Sequence, residues 1–159
     1  MMTKPIYDLE KIEDLRQLVE RGAREFGDSF AYSVKKNGEY KGITFKECKE
    51  YINSYGTALT DLGLVGEKIA VISESRYEWC MTFLSVVNGV GVIVPLDKEL
   101  PANEIENLLV RSDARAIVFS SKYKETILEI KKKLDGLKVL IDMDATSDKD
   151  GVLSLEKLV

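Results

Sequence analysis

The sequence predicts an α/β fold: a parallel sheet of about four strands with helices on both faces (βαβαβαβ), preceded by a helix and a β-hairpin. Three observations predict it. Short apolar runs at residues 69–73, 90–96, 116–120 and 137–141 are spaced by stretches of helical periodicity. These runs do not alternate apolar with polar, so each strand is covered on both faces, as in parallel sheets. Strand and helix also alternate along the chain, which favours right-handed crossovers within one sheet.

Each element carries its own signal. Residues 8–26 are expected to form a helix, with Leu9, Ile12, Leu15, Val19, Ala23 and Phe26 at helical spacing. Residues 29–34 and 39–43 flank Asn37-Gly38, the strongest short hairpin signal. Thr44-Phe45-Lys46-Glu47 is a capping box, in which the Thr hydroxyl accepts from a backbone N–H while Glu reaches back. It opens a helix with Phe45, Cys48, Ile52, Tyr55, Leu59 and Leu62 on one face, and Gly63 supplies the left-handed residue that ends it. After the strand at 69–73, Ser75-Arg76-Tyr77-Glu78 has the form of a second capping box, opening a helix to about residue 87. Pro101 suits the first turn of a helix running to about residue 112. A helix over 123–134 follows the strand at 116–120, and Gly136 separates it from the last strand. Residues 142–151 are polar and acidic, hence a loop, and 154–159 form a first helical turn.

On this basis residues 1–67 hold the helix, hairpin and capped helix, 68–142 the parallel unit, and 143–159 the acidic loop and short helix. The helix after Ser75 stands apart. Tyr77, Trp79, Cys80, Met81, Phe83, Leu84, Val86 and Val87 leave it almost no polar face. A helix apolar all round is covered all round, and one sheet face covers only one side. Self-association through Trp79 and Phe83 is therefore expected. The alternative is that the N-terminal helix and hairpin fold over that side.

Bulk properties exclude several classes. The 159 residues suit one domain with a real core, at 45% hydrophobic and 31% charged content. A net charge of −4 favours neither nucleic acid nor an anionic membrane. The N-terminus, MMTKPIYDLE, turns acidic and lacks the apolar core of a signal peptide. Residues 79–96 carry no charge, but Asn88-Gly89 splits the run and its second half has the β-branched content of a strand, so no membrane span is expected. Cys48 and Cys80 read as small buried hydrophobes, consistent with a reducing cytoplasm.

Chemistry is sparse. There is no histidine, which removes His-based triads and His metal sites. Asn88-Gly89-Val90-Gly91 has no following Lys and precedes a strand, the wrong context for a phosphate loop. Asp142, Asp144, Asp148 and Asp150 lack the Gly and Glu of a calcium loop. Lys131-Lys132-Lys133 ends a helix, where cations oppose the dipole. No catalytic or metal-binding residue is assigned. Ligands of open α/β sheets bind beyond the strands' carboxyl ends. The candidates there are Glu74, Ser75 and Arg76, with Asp97 and Ser120-Ser121-Lys122 at the neighbouring ends. A helix N-terminus after Ser75 could hold an anion. Capping by Ser75 and a surface ion pair for Glu74 or Arg76 explain them without a ligand.

The stretch KIAVISESRYEWCMTFLSVVNGVGVIVPLDKELPANEIENLLVRSDARAIVFSS, with ITFKECKEYINSYGTALTDLGL before it, resembles the N-terminal part of the AMP-forming acyl-CoA synthetases, and the long-chain fatty acid–CoA ligases most. Relatives often carry Asn where Ser75 stands. The family's phosphate loop, rich in Ser, Thr and Gly and closing on Lys, is absent, as are its later motifs. The resemblance thus implies one incomplete domain of a larger ligase, inactive alone, whose partner is the remainder of its own chain. It implies for the parent enzyme the use of ATP, magnesium and coenzyme A to activate a carboxylic, and by preference a fatty, acid. Two other classes stay open: a free-standing α/β partner-binding module, and a small nucleotide-binding domain of flavodoxin-like topology.

Overall fold

A computed structural model describes residues 11–36 and 38–159. Helix α1 spans Leu15–Phe26, starting later than the periodicity suggests. Asp14 is extended, and its carboxylate accepts from Gln17 N at 2.7 Å, so the cap decides the start. Residues 11–13 are not helical, and residues 8–10 lie outside the described residues. Strands β1 (Phe30–Lys36) and β2 (Glu39–Thr44) form the expected antiparallel hairpin, whose Asn37 also lies outside the described residues.

Helix α2 (Phe45–Asp61) opens with the complete capping box. Glu47 N donates to Thr44 Oγ1 at 3.2 Å, and Thr44 N donates to the Glu47 carboxylate at 2.7 Å. It ends at Gly63, whose φ of 75° lets Leu64 N reach back to Leu59 O.

A second sheet contains five parallel strands in the order β4-β3-β5-β6-β7: β3 (Lys68–Ile72), β4 (Val92–Pro95), β5 (Ala116–Phe119), β6 (Val139–Asp142) and β7 (Val152–Ser154). Helices α3 (Tyr77–Val87), α4 (Ala102–Ser112), α5 (Lys124–Lys131) and α6 (Leu155–Leu158) connect or follow them. Pro101 is the cap of α4, one position before its first helical residue. Gly91, at the entry to β4, lies against the Glu67 carbonyl; a Cβ there would sit 2.3 Å from that oxygen.

Period-two alternation divides each strand between two cores. Ile69, Val71, Ala116, Val118 and Ile141 face Tyr55 and Leu59 of α2 and Val86 of α3. Ala70, Ile72, Ile117, Phe119 and Leu140 face Ile105 and Leu109 of α4 and Ile127 and Ile130 of α5. Burying both faces is what makes the runs of β3, β5 and β6 continuously apolar; β4 departs from the expectation, because it lies at the sheet edge and leaves Val92 54% exposed.

The sheet has one strand more than the sequence suggests. β7 pairs with β6 through Leu140–Val152, Ile141–Leu153 and Asp142–Ser154. Three residues are too few to show a period, and the acidic stretch before them looks like an unbroken loop. Around α3, Met81 packs with Cys48 and Ile52 of α2 and with Ala31, Tyr32 and Ile43 of the hairpin. Trp79 and Phe83, stacked at 5.7 Å between centroids, stay half-buried.

Candidate functional site

In this strand order the chain leaves β3 towards β4, then crosses back past β3 to β5. The crevice of such a switch point lies between the carboxyl ends of β3 and β5. Two side chains close it: Ser120 Oγ donates to Glu74 Oε2 at 2.7 Å. The Ser120 hydrogen bond, helped by backbone and by Lys122 with its Nζ at 3.9 Å, holds the Glu74 carboxyl below its ordinary value. The crevice therefore presents a carboxylate, which repels a phosphate.

Arg76 is committed to protein partners. Its Nε and Nη2 donate to the two oxygens of Glu78 at 2.8 and 2.9 Å, and its Nη1 donates to Asp144 Oδ1 at 2.6 Å. Burial is the largest single influence on the Glu78 and Asp144 carboxyls and pushes them up, but the Arg76 hydrogen bonds, the backbone N–H donors and the Arg76 charge together outweigh it and leave both below their ordinary values. With two carboxylates on one guanidinium, no net positive charge remains at the start of α3.

The second capping box does not form. Arg76, not Ser75, is the cap residue of α3, and it caps through no side-chain hydrogen bond. Ser75 is exposed and makes no hydrogen bond among the described residues. The physical reason is competition: the Glu78 carboxylate is held by Arg76 and does not reach back, and Ser75 stands one residue too early.

Three of the four tail aspartates, Asp142, Asp144 and Asp148, are likewise occupied. Asp142 is fully buried; Ser121 Oγ donates to both its oxygens at 2.8 Å, Asp144 N donates at 3.0 Å, and Lys124 Nζ lies 3.5 Å away. Asp144 also accepts from Ser121 N at 2.8 Å, and Asp148 accepts from Ser154 N at 2.8 Å. Among the described residues no group of three or more His, Cys, Asp or Glu could hold a metal ion.

What remains open at the strand ends is a cleft of about 400 Å³, lined by Ser73, Glu74, Ser75, Arg76, Trp79, Cys80, Asp97 and Lys98. The structure thus brings Glu74, Ser75, Arg76 and Asp97 together, and puts Ser120 and Lys122 on Glu74. Asp144 joins them from 68 positions beyond Arg76, a pairing with no local signal. The cleft holds no nucleophile paired with a base, and its residues do not fit a magnesium–triphosphate.

Residues 19–158 match the AMP-binding enzyme family. The chain belongs to that family. Over 96 residues, 60% of its length, it is 34% identical to fatty acyl-CoA synthetase A of Dictyostelium discoideum, covering 14% of that protein. Over 90% of its length it is 27% identical to long-chain-fatty-acid–CoA ligase 5 of Rattus norvegicus, covering 22% of it. Its fold matches acetoacetyl-CoA synthetase from Streptomyces lividans with a TM-score of 0.80 at 18% identity, over 91% of this chain and 24% of that one. The chain therefore spans less than a quarter of the length of each. The family match does not favour a free-standing partner-binding module or a small nucleotide-binding domain.

Proposed function

We propose that this chain is the N-terminal module of an AMP-forming acyl-CoA ligase. That enzyme joins a carboxylic acid to AMP from ATP, releases pyrophosphate and transfers the acyl group to coenzyme A. The match of residues 19–158 to the AMP-binding family carries this reading. A fatty acid is the favoured substrate, since two of the relatives are named for fatty acids. ATP, magnesium and coenzyme A belong to the larger enzyme. The module's own role is to hold the sheet and α3 in place. The half-buried Trp79–Phe83 pair offers the remainder of the ligase an apolar face on which to dock. The free thiols Cys48 and Cys80 suit a reducing cytosol. Among the described residues no helix is long and apolar enough to cross a membrane.

The test is pyrophosphate release with ATP, magnesium, coenzyme A and palmitate. The 159-residue chain should stay at background, and the product of the whole reading frame should turn over. Turnover by the 159-residue chain would refute the positioning role, and failure of the longer product on every carboxylic acid tried would refute the ligase.

A further inference from the structure

The N-terminal helix is held differently from the rest of the molecule. α1 has no buried residue, whereas α2 buries Cys48, Ile52, Tyr55 and Leu59. Its apolar Leu15, Leu18 and Phe26 remain 40%, 46% and 52% exposed. An apolar cavity of about 730 Å³ lies beneath it, floored by Cys48, Ile52, Met81 and Leu84. A second cavity of about 380 Å³, of mixed polar and apolar lining, runs along its other side, where the buried Ser85 Oγ and Asn88 Oδ1 have no partner among the described residues.

The two ends of α1 are tied unequally. Just after its C-terminal end, Lys46 N donates to Gly27 O and Phe45 N to Ser29 O, both at 3.1 Å, fastening the chain to the start of α2. Towards its N-terminal end, Arg16 Nη2 donates to the carbonyl of Asn88, the cap residue of α3, at 2.5 Å. A guanidinium there also opposes the α3 dipole.

We propose that α1 is a strap, hinged at Gly27-Asp28 and latched by Arg16 on Asn88, that swings off α2 and α3 while the sheet stays folded and so opens the apolar cavity. Elements that bury little apolar surface open locally at low cost, independently of global unfolding. A native reporter sits on the cavity floor. Cys48 is 5% exposed, and burial pushes its thiol up to about 11, so it is unreactive while the strap is closed. Cys80, half-buried beside the strand-end cleft, is an internal reference.

The experiment is thiol labelling of the 159-residue chain with an alkylating reagent, resolved site by site by mass spectrometry, with the global unfolding rate measured in parallel. Cys48 should label faster than the chain unfolds globally and more slowly than Cys80. Arg16→Ala should raise its rate roughly tenfold, the factor expected for losing a charge-assisted hydrogen bond. Arg16→Lys should raise it less, and Cys80 should not change. Cys48 labelling at the global unfolding rate, or equally fast in all three proteins, overturns the strap.

Discussion

Removing the Arg76 side chain should destabilise the protein by about 2–3 kcal/mol at pH 7, and by less in acid. Arg76→Ala deletes three charge-assisted hydrogen bonds and leaves Glu78, whose side chain is only 16% exposed, without its cation. A charged hydrogen bond contributes about 1.5–3 kcal/mol, and an uncompensated buried partner costs about 3–5. Asp144 is 39% exposed, so water screens its share and the estimate falls towards the lower figures. The pH dependence follows from the signs. In the native protein Glu78 and Asp144 lie below their ordinary values, so they contribute stability above the usual carboxylate range and lose it as pH falls through the lowered values. Without Arg76, burial still pushes the Glu78 carboxyl up and only its backbone and Tyr77 hydrogen bonds pull it down, so the stability it contributes above the carboxylate range shrinks. The gap between the two proteins should therefore narrow from pH 7 towards about pH 4.5. Urea unfolding followed by the fluorescence of Trp79, the one tryptophan, measures it. Adding Glu78→Gln to the variant should recover part of the loss. A cost under about 0.5 kcal/mol, or a gap that widens in acid, would refute the reasoning.

Thr44→Ala should cost about 1 kcal/mol by urea denaturation, because the cap hydrogen bond is present, whereas Ser75→Ala should stay within about 0.5 kcal/mol. Equal costs would contradict the contrast between the two helix starts. Gly91→Ala should cost about 2 kcal/mol, since its Cβ would sit 2.3 Å from a backbone carbonyl that cannot rotate away; a thermal melt without a shift would count against that approach. If the Trp79–Phe83 face docks the remainder of a ligase, the chain alone should associate as its concentration rises. Light scattering should show Phe83→Glu monomeric, and a native monomer at every concentration would argue against the docking face.

Much of the architecture was legible because its causes are local. Continuous apolar runs marked the strands buried on both faces, and Thr44-x-x-Glu47 marked the start of α2. The wording of residues 68–121 pointed to the ligase family, which the match over 19–158 then showed. Tertiary structure decided what depends on partners distant in sequence. β7 exists because Val152–Ser154 find the free edge of β6, a pairing no three-residue segment announces. α1 starts at Leu15 because Asp14 takes the cap, although the apolar spacing continues upstream. Two chemically suitable sequences, Thr44–Glu47 and Ser75–Glu78, behave differently because a carboxylate serves the strongest donor within reach. For Glu47 that is its own helix cap, and for Glu78 it is Arg76, itself held by Asp144 from the far end of the chain.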